Sequence, residues 1–61
     1  MSGRPKSLLV EDQILIALGL TEVLKETGHQ VVGVAATVTD ALSVAANTKP
    51  DVAVVDVRLR G

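Results

Sequence analysis

The chain contains no cysteine and no aromatic residue of any kind. Without cysteine there is no disulfide framework and no thiolate zinc site, a composition that fits a cytoplasmic protein. Without Phe, Tyr or Trp there is no platform on which bases could stack, which counts against single-stranded nucleic-acid binding. An excess of charge of either sign is missing as well. Six Lys and Arg face seven Asp and Glu, for a net charge of −1. That balance creates no field to draw in nucleic acid or a membrane surface. The cationic start MSGRPKS is followed by an apolar run of only Leu8 to Val10, too short for a signal segment or a membrane span. No Gly-x-Gly-x-x-Gly follows that run, so the dinucleotide-binding fingerprint is absent. Internal repeats and low-complexity stretches are lacking too.

What is present is a soluble globular composition, 48% hydrophobic and 21% charged over 61 residues. That length allows one small domain, which buries only about 60% of its unfolded surface and is marginal in stability. Residues 1–6 read as a disordered lead-in and residues 7–61 as the domain. Within it the segments alternate. Residues 7–10 read as a strand. Residues 13–27 have helical spacing, with Ile14, Leu18, Leu20 and Leu24 recurring at three- and four-residue intervals and Val23 between them. Gly28 stands where a helix ends in a residue of positive φ, a conformation that costs glycine nothing. Val31 to Ala35 is β-branched and bounded by polar residues, a second strand. Thr37 and Thr39 are both candidate N-caps for a helix over residues 40–47, and Thr37 with Asp40 resembles a weak capping box. Its apolar face is expected to be Ala41, Leu42, Ala45 and Ala46. Pro50 ends it, and residues 51–56 form a third strand.

The order β-α-β-α-β indicates an α/β fold. Strands one and three are continuous aliphatic runs, the pattern of parallel strands buried on both faces. Right-handed crossovers set such strands parallel, with their C-terminal ends at one edge of the sheet. Open α/β sheets bind ligands at that edge. Here the first strand ends in Glu11-Asp12 and the third in Asp56, so two adjacent strands would bring three carboxylates together. Crowded like charges repel, and a bound cation relieves them. Mg²⁺ prefers a few carboxylate oxygens and keeps waters or a phosphate. It would neutralise charge on a transferring phosphoryl group, with Asp56 as the nucleophile that forms an acyl phosphate. The structural alternative is that Asp12 caps the first helix.

The segments Leu8-Leu9-Val10-Glu11-Asp12, Gly28-His29-Gln30-Val31-Val32, Ala41-Leu42, and Lys49 through Leu59 with Pro50, Asp51 and Asp56 carry a resemblance to a known family. The chain resembles the N-terminal half of a response-regulator receiver domain, the phosphoacceptor module of two-component signalling, of the chemotaxis-regulator kind. The resemblance runs from about Ser7 to the end. It implies a flavodoxin-like, doubly wound parallel sheet, of which this chain carries three strands in the order 2-1-3. It also implies roles. Asp56 matches the phosphoacceptor, Glu11 and Asp12 match the acidic pair that organises Mg²⁺, and the backbone carbonyl of Arg58 matches a further metal ligand. Asp12 is the expected direct ligand, with Glu11 acting mainly through water. The implied partner is a sensor histidine kinase or phosphotransfer protein. The family is not enzymatic in the usual sense, since it catalyses only its own phosphotransfer.

The chain departs from the family in length. A strand 4 with a switch Ser or Thr, a strand 5 with a lysine, and the helices of the output face have no counterpart here. Lys6, Lys25 and Lys49 lie in the wrong segments to supply that lysine, and Arg60 stands where a proline is frequent. A species of these residues alone is expected to hold a phosphoryl group weakly and to lack the familiar switch. It would also expose the third strand as an aliphatic edge open to self-association. A fragment of a longer receiver protein is the simpler expectation. Two other functions compete with phosphoacceptance. One is a receiver-like interaction or dimerisation module without switching. The other is a phosphohydrolase with an aspartyl nucleophile, disfavoured because Arg58 stands where such enzymes carry a second acid. Of the remaining residues, His29 reads as a surface turn residue with no ligand partner at metal spacing. Gly19 either permits close packing or is neutral, and Gly33 marks a bulge or a close approach. Arg4, Lys6, Arg58 and Arg60 read as solvated charges.

Overall fold

The structure, a computed structural model, describes residues 3–56. Five elements follow one another: β1 (Lys6–Val10), α1 (Ile14–Glu26), β2 (Gln30–Ala35), α2 (Val38–Thr48) and β3 (Val52–Val55). The strands form one sheet in the order β2-β1-β3, and both pairings are parallel. The expected α/β architecture and strand order are therefore present. β1 lies in the centre, and the crossovers β1-α1-β2 and β2-α2-β3 run in opposite directions from it. Right-handed connections then place the two helices on opposite faces of the sheet, and both pack on β1 and β2.

β1 is the core. Ser7, Leu8, Leu9 and Val10 are all buried, with Leu9 at 0% exposure. Ala17 of α1 and Ala35 of β2 complete the buried apolar set. The strand needs aliphatic residues at consecutive positions because each pleat side meets a helix. β3, expected to be buried on both faces, is not. Val52, Ala53 and Val55 are exposed and only Val54 is half-buried. Neither helix packs on β3, so among the described residues this strand is held by its pairing with β1. A continuous aliphatic run signals a strand with two faces to cover, but it does not supply the cover.

The helix faces also differ from expectation. In α1 the half-buried or buried stripe is Ala17, Leu20, Thr21 and Leu24, whereas Ile14 is 74% exposed and Leu18 59%. In α2 the stripe is Ala41, Val44, Ala45 and Thr48, while Leu42 and Ala46 are exposed. The reason is the same in both. α1 buries Ala17 and α2 sets Val44 against Gly33 of β2, and large aliphatics beside these stripes are left exposed. Spacing identifies a helix, but several stripes of similar apolarity leave its rotation open.

The ends of the helices follow local chemistry. Gly28 has φ of 92°, and it closes α1 with two bonds, Gly28 N–H to Lys25 O at 3.1 Å and His29 N–H to Leu24 O at 2.9 Å. This pair of bonds is the Schellman arrangement. Thr37 is the N-cap of α2, and its hydroxyl accepts from Asp40 N–H at 3.1 Å. Thr39 lies inside the helix instead. Lys49 ends α2 in the left-handed region, at φ of 49°, immediately before Pro50.

Gly33 combines both roles foreseen for it. The β1–β2 register passes from Ser7↔Val31 to Leu8↔Gly33, so Val32 is the extra residue of a bulge. A Cβ built on Gly33 would lie 2.5 Å from Val44 Cγ1 and 3.5 Å from Leu8 Cδ1. Only a residue without a side chain lets α2 lie this close to β2. Gly19, by contrast, has nothing within 4 Å of a Cβ and serves no packing purpose among the described residues. Chemical denaturation should separate the two. Gly33→Ala is expected to lower stability by about 1–3 kcal/mol through overpacking against a stiff valine. Gly19→Ala is expected to raise it by about 1 kcal/mol through helix propensity.

Candidate functional site

Parallel pairing of β1 and β3 sets Val10 beside Val55, so the residues that follow leave the sheet together. Asp56 N–H donates to Val10 O at 3.0 Å, and Glu11 N–H donates to Ala35 O at 2.9 Å. The ladder thus extends one residue past each strand and carries Glu11 and Asp56 to the C-terminal edge. At the other end of β3, Asp51 and Lys6 hold one another. Asp51 N–H donates to Lys6 O at 2.7 Å, and Lys6 N–H donates to Asp51 Oδ2 at 2.9 Å. These two bonds fix the register that brings Asp56 level with Glu11. The aliphatic pattern places Asp51 at the start of a strand and gives no sign of this clamp beyond the acid itself, since its partner Lys6 is distant in the chain.

Glu11, Asp12 and Asp56 each offer an oxygen within 4.8 Å of the others. Glu11 is buried, Asp12 exposed and Asp56 half-buried. The buried Glu11 is held by the backbone, since Gln13 N–H donates to its Oε2 at 3.1 Å. Gln13 is the N-cap of α1 and makes no side-chain cap bond. Asp12 therefore does not cap α1, contrary to the structural alternative raised from the sequence. The turn from β1 into α1 directs Glu11 inward and leaves Asp12 at the surface end of the cluster. Arg58, whose carbonyl was expected as a further ligand, lies outside the described residues, as do Leu59 and Arg60.

The three acids fit a hard divalent cation. All donors are carboxylate oxygens, the set that Mg²⁺ takes. Oxygens on opposite sides of an octahedral Mg²⁺ stand about 4.2 Å apart, so a group spanning up to 4.8 Å needs only small side-chain rotations. The exposed side at Asp12 leaves room for water or a phosphate oxygen.

His29 follows the turn that ends α1, as the sequence predicts. Its Nδ1 lies 2.6 Å from Ser7 Oγ, and Ser7 is completely buried. The pair ties the end of α1 to the start of β1, at the opposite end of the strand from the acids. A lone serine opening a buried strand was the sequence signal for such a partner.

No protein-family profile matches the chain. Among curated proteins it is 38% identical over 52 residues to the transcriptional regulatory protein PdtaR of Mycobacterium tuberculosis, an alignment covering 85% of this chain and 25% of that protein. It is 40% identical over 53 residues to the phyllosphere-induced regulator PhyR of Methylorubrum extorquens, covering 85% of this chain and 20% of that one. These alignments extend over nearly the whole of a fold that carries the acid pair after β1 and the acid after β3. These partial matches are consistent with an N-terminal receiver fragment of the response-regulator type.

The β1-α1-β2-α2-β3 order with a parallel 2-1-3 sheet is consistent with a flavodoxin-like receiver fold, and the chain spans a quarter or less of the curated relatives it matches. Its acid edge depends on the Lys6–Asp51 clamp at the far end of β3. Asp51→Ala is expected to cost about 1 kcal/mol. It should also speed hydrogen exchange of the β3 amides while β2 keeps its protection. Equal loss of protection in both strands would show that the clamp does not set the β3 register.

Proposed function

We propose that the chain is a phosphoacceptor module, taking a phosphoryl group on Asp56 from a phosphohistidine of a sensor histidine kinase or phosphotransfer protein. The observation that carries this reading is the gathering of Glu11, Asp12 and Asp56 oxygens within 4.8 Å at the C-terminal edge of the sheet. An Asp56 carboxylate oxygen attacks phosphorus, the phosphorus–nitrogen bond of the donor breaks, and the imidazole leaves with its electron pair and is protonated. The product is an acyl phosphate on Asp56. β3 holds the attacking carboxylate at the edge through the Asp56 N–H bond to Val10 O. Glu11, fixed by Gln13 N–H, and the exposed Asp12 complete the binding edge. Glu11, Asp12, Asp56 and the Arg58 carbonyl would hold Mg²⁺. That ion supplies positive charge to the phosphoryl oxygens as negative charge shifts in the transition state.

In this reading the chain is not an enzyme with turnover. It catalyses at most its own phosphotransfer, and it works as a cytoplasmic signalling module. Among the described residues no helix is long and apolar enough to cross a membrane.

A second reading is supported by a different observation. Among the described residues no helix packs on β3, whose Val52 and Val55 are exposed, and an aliphatic strand edge is a template for another strand. The chain would then act as an interaction or dimerisation module, including association with a second copy through β3, without phosphorylation.

Intact mass spectrometry after incubation with acetyl phosphate separates the two. One phosphoryl adduct is expected with Mg²⁺, absent without Mg²⁺ and absent in Asp56→Asn. A chain folded by circular dichroism that takes no adduct would overturn phosphoacceptance and favour the interaction module. In a Mg²⁺ titration followed by calorimetry, Asp12→Asn is expected to weaken binding by about tenfold or more, while thermal stability without the ion stays level or rises. Unchanged affinity would remove Asp12 from the metal site.

A further inference from the structure

We draw no further inference here: the strongest candidate, the open edge and two uncovered faces of β3 with Val52 and Val55 exposed, carries nothing beyond the readings above, because nothing in the structure shows what covers it.

Discussion

The parallel pairing of β1 with β2 on one edge and β3 on the other governs the rest of the molecule. It buries four consecutive residues of β1, which form most of the core that 61 residues can assemble. It also determines the site. Parallel strands in register end together, so acids placed just after β1 and β3 meet without any loop having to carry them there. An antiparallel partner for β1 would have sent Asp56 to the end where Ser7 and His29 meet. Register is set at the far end, by the reciprocal Lys6–Asp51 bonds, and is expressed at the acid end one strand-length away.

Energetically the two ends of the sheet are opposite in kind. At the Ser7 end, polar groups are satisfied by one another. The Ser7 hydroxyl meets His29, and Gln30 N–H donates to Pro5 O at 2.8 Å. At the acid end, three carboxylates are crowded, and charges about 4–5 Å apart repel by about 1 kcal/mol per pair even in water. A fold that gathers like charges instead of spreading them has a local conflict of the kind that marks a functional site. At Glu11 the conflict is moderated by Gln13 N–H, which donates to its carboxylate. A divalent cation, as proposed above, would supply the counter-charge.

Among the described residues the sheet is well covered at β1 and β2 and thinly covered at β3. β1 and β2 carry helices on both faces, and β3 carries none. Ile14, Leu15 and Leu18 of α1 and Leu42 of α2 are largely exposed, so the helices turn some of their largest side chains away from the existing core. Small residues make the contacts instead. Ala17 faces the sheet from α1, and Gly33 admits Val44 from α2. The result is close helix–sheet packing around β1 and a margin of uncovered aliphatic surface at β3.

How much of this was legible depends on whether the cause is local. The element order, the Gly28 termination, the Thr37 cap and the positions of the three acids are consequences of short-range rules. A positive φ selects glycine, a hydroxyl selects an N-cap, and an apolar run ending in acid places the acid at a strand end. The sequence alone therefore determined the α/β class, the strand ends and which carboxylates could meet. It also carried the resemblance to a receiver domain. Tertiary structure decided what depends on partners distant in the chain. It chose Ala17 and Val44 over Ile14 and Leu42 as sheet-facing residues. It paired Ser7 with His29, used Glu11 rather than Asp12 at the start of α1, and left β3 uncovered. Local periodicity is unchanged by rotating a helix or by removing a neighbour. Contact with a surface elsewhere in the chain is what distinguishes those states.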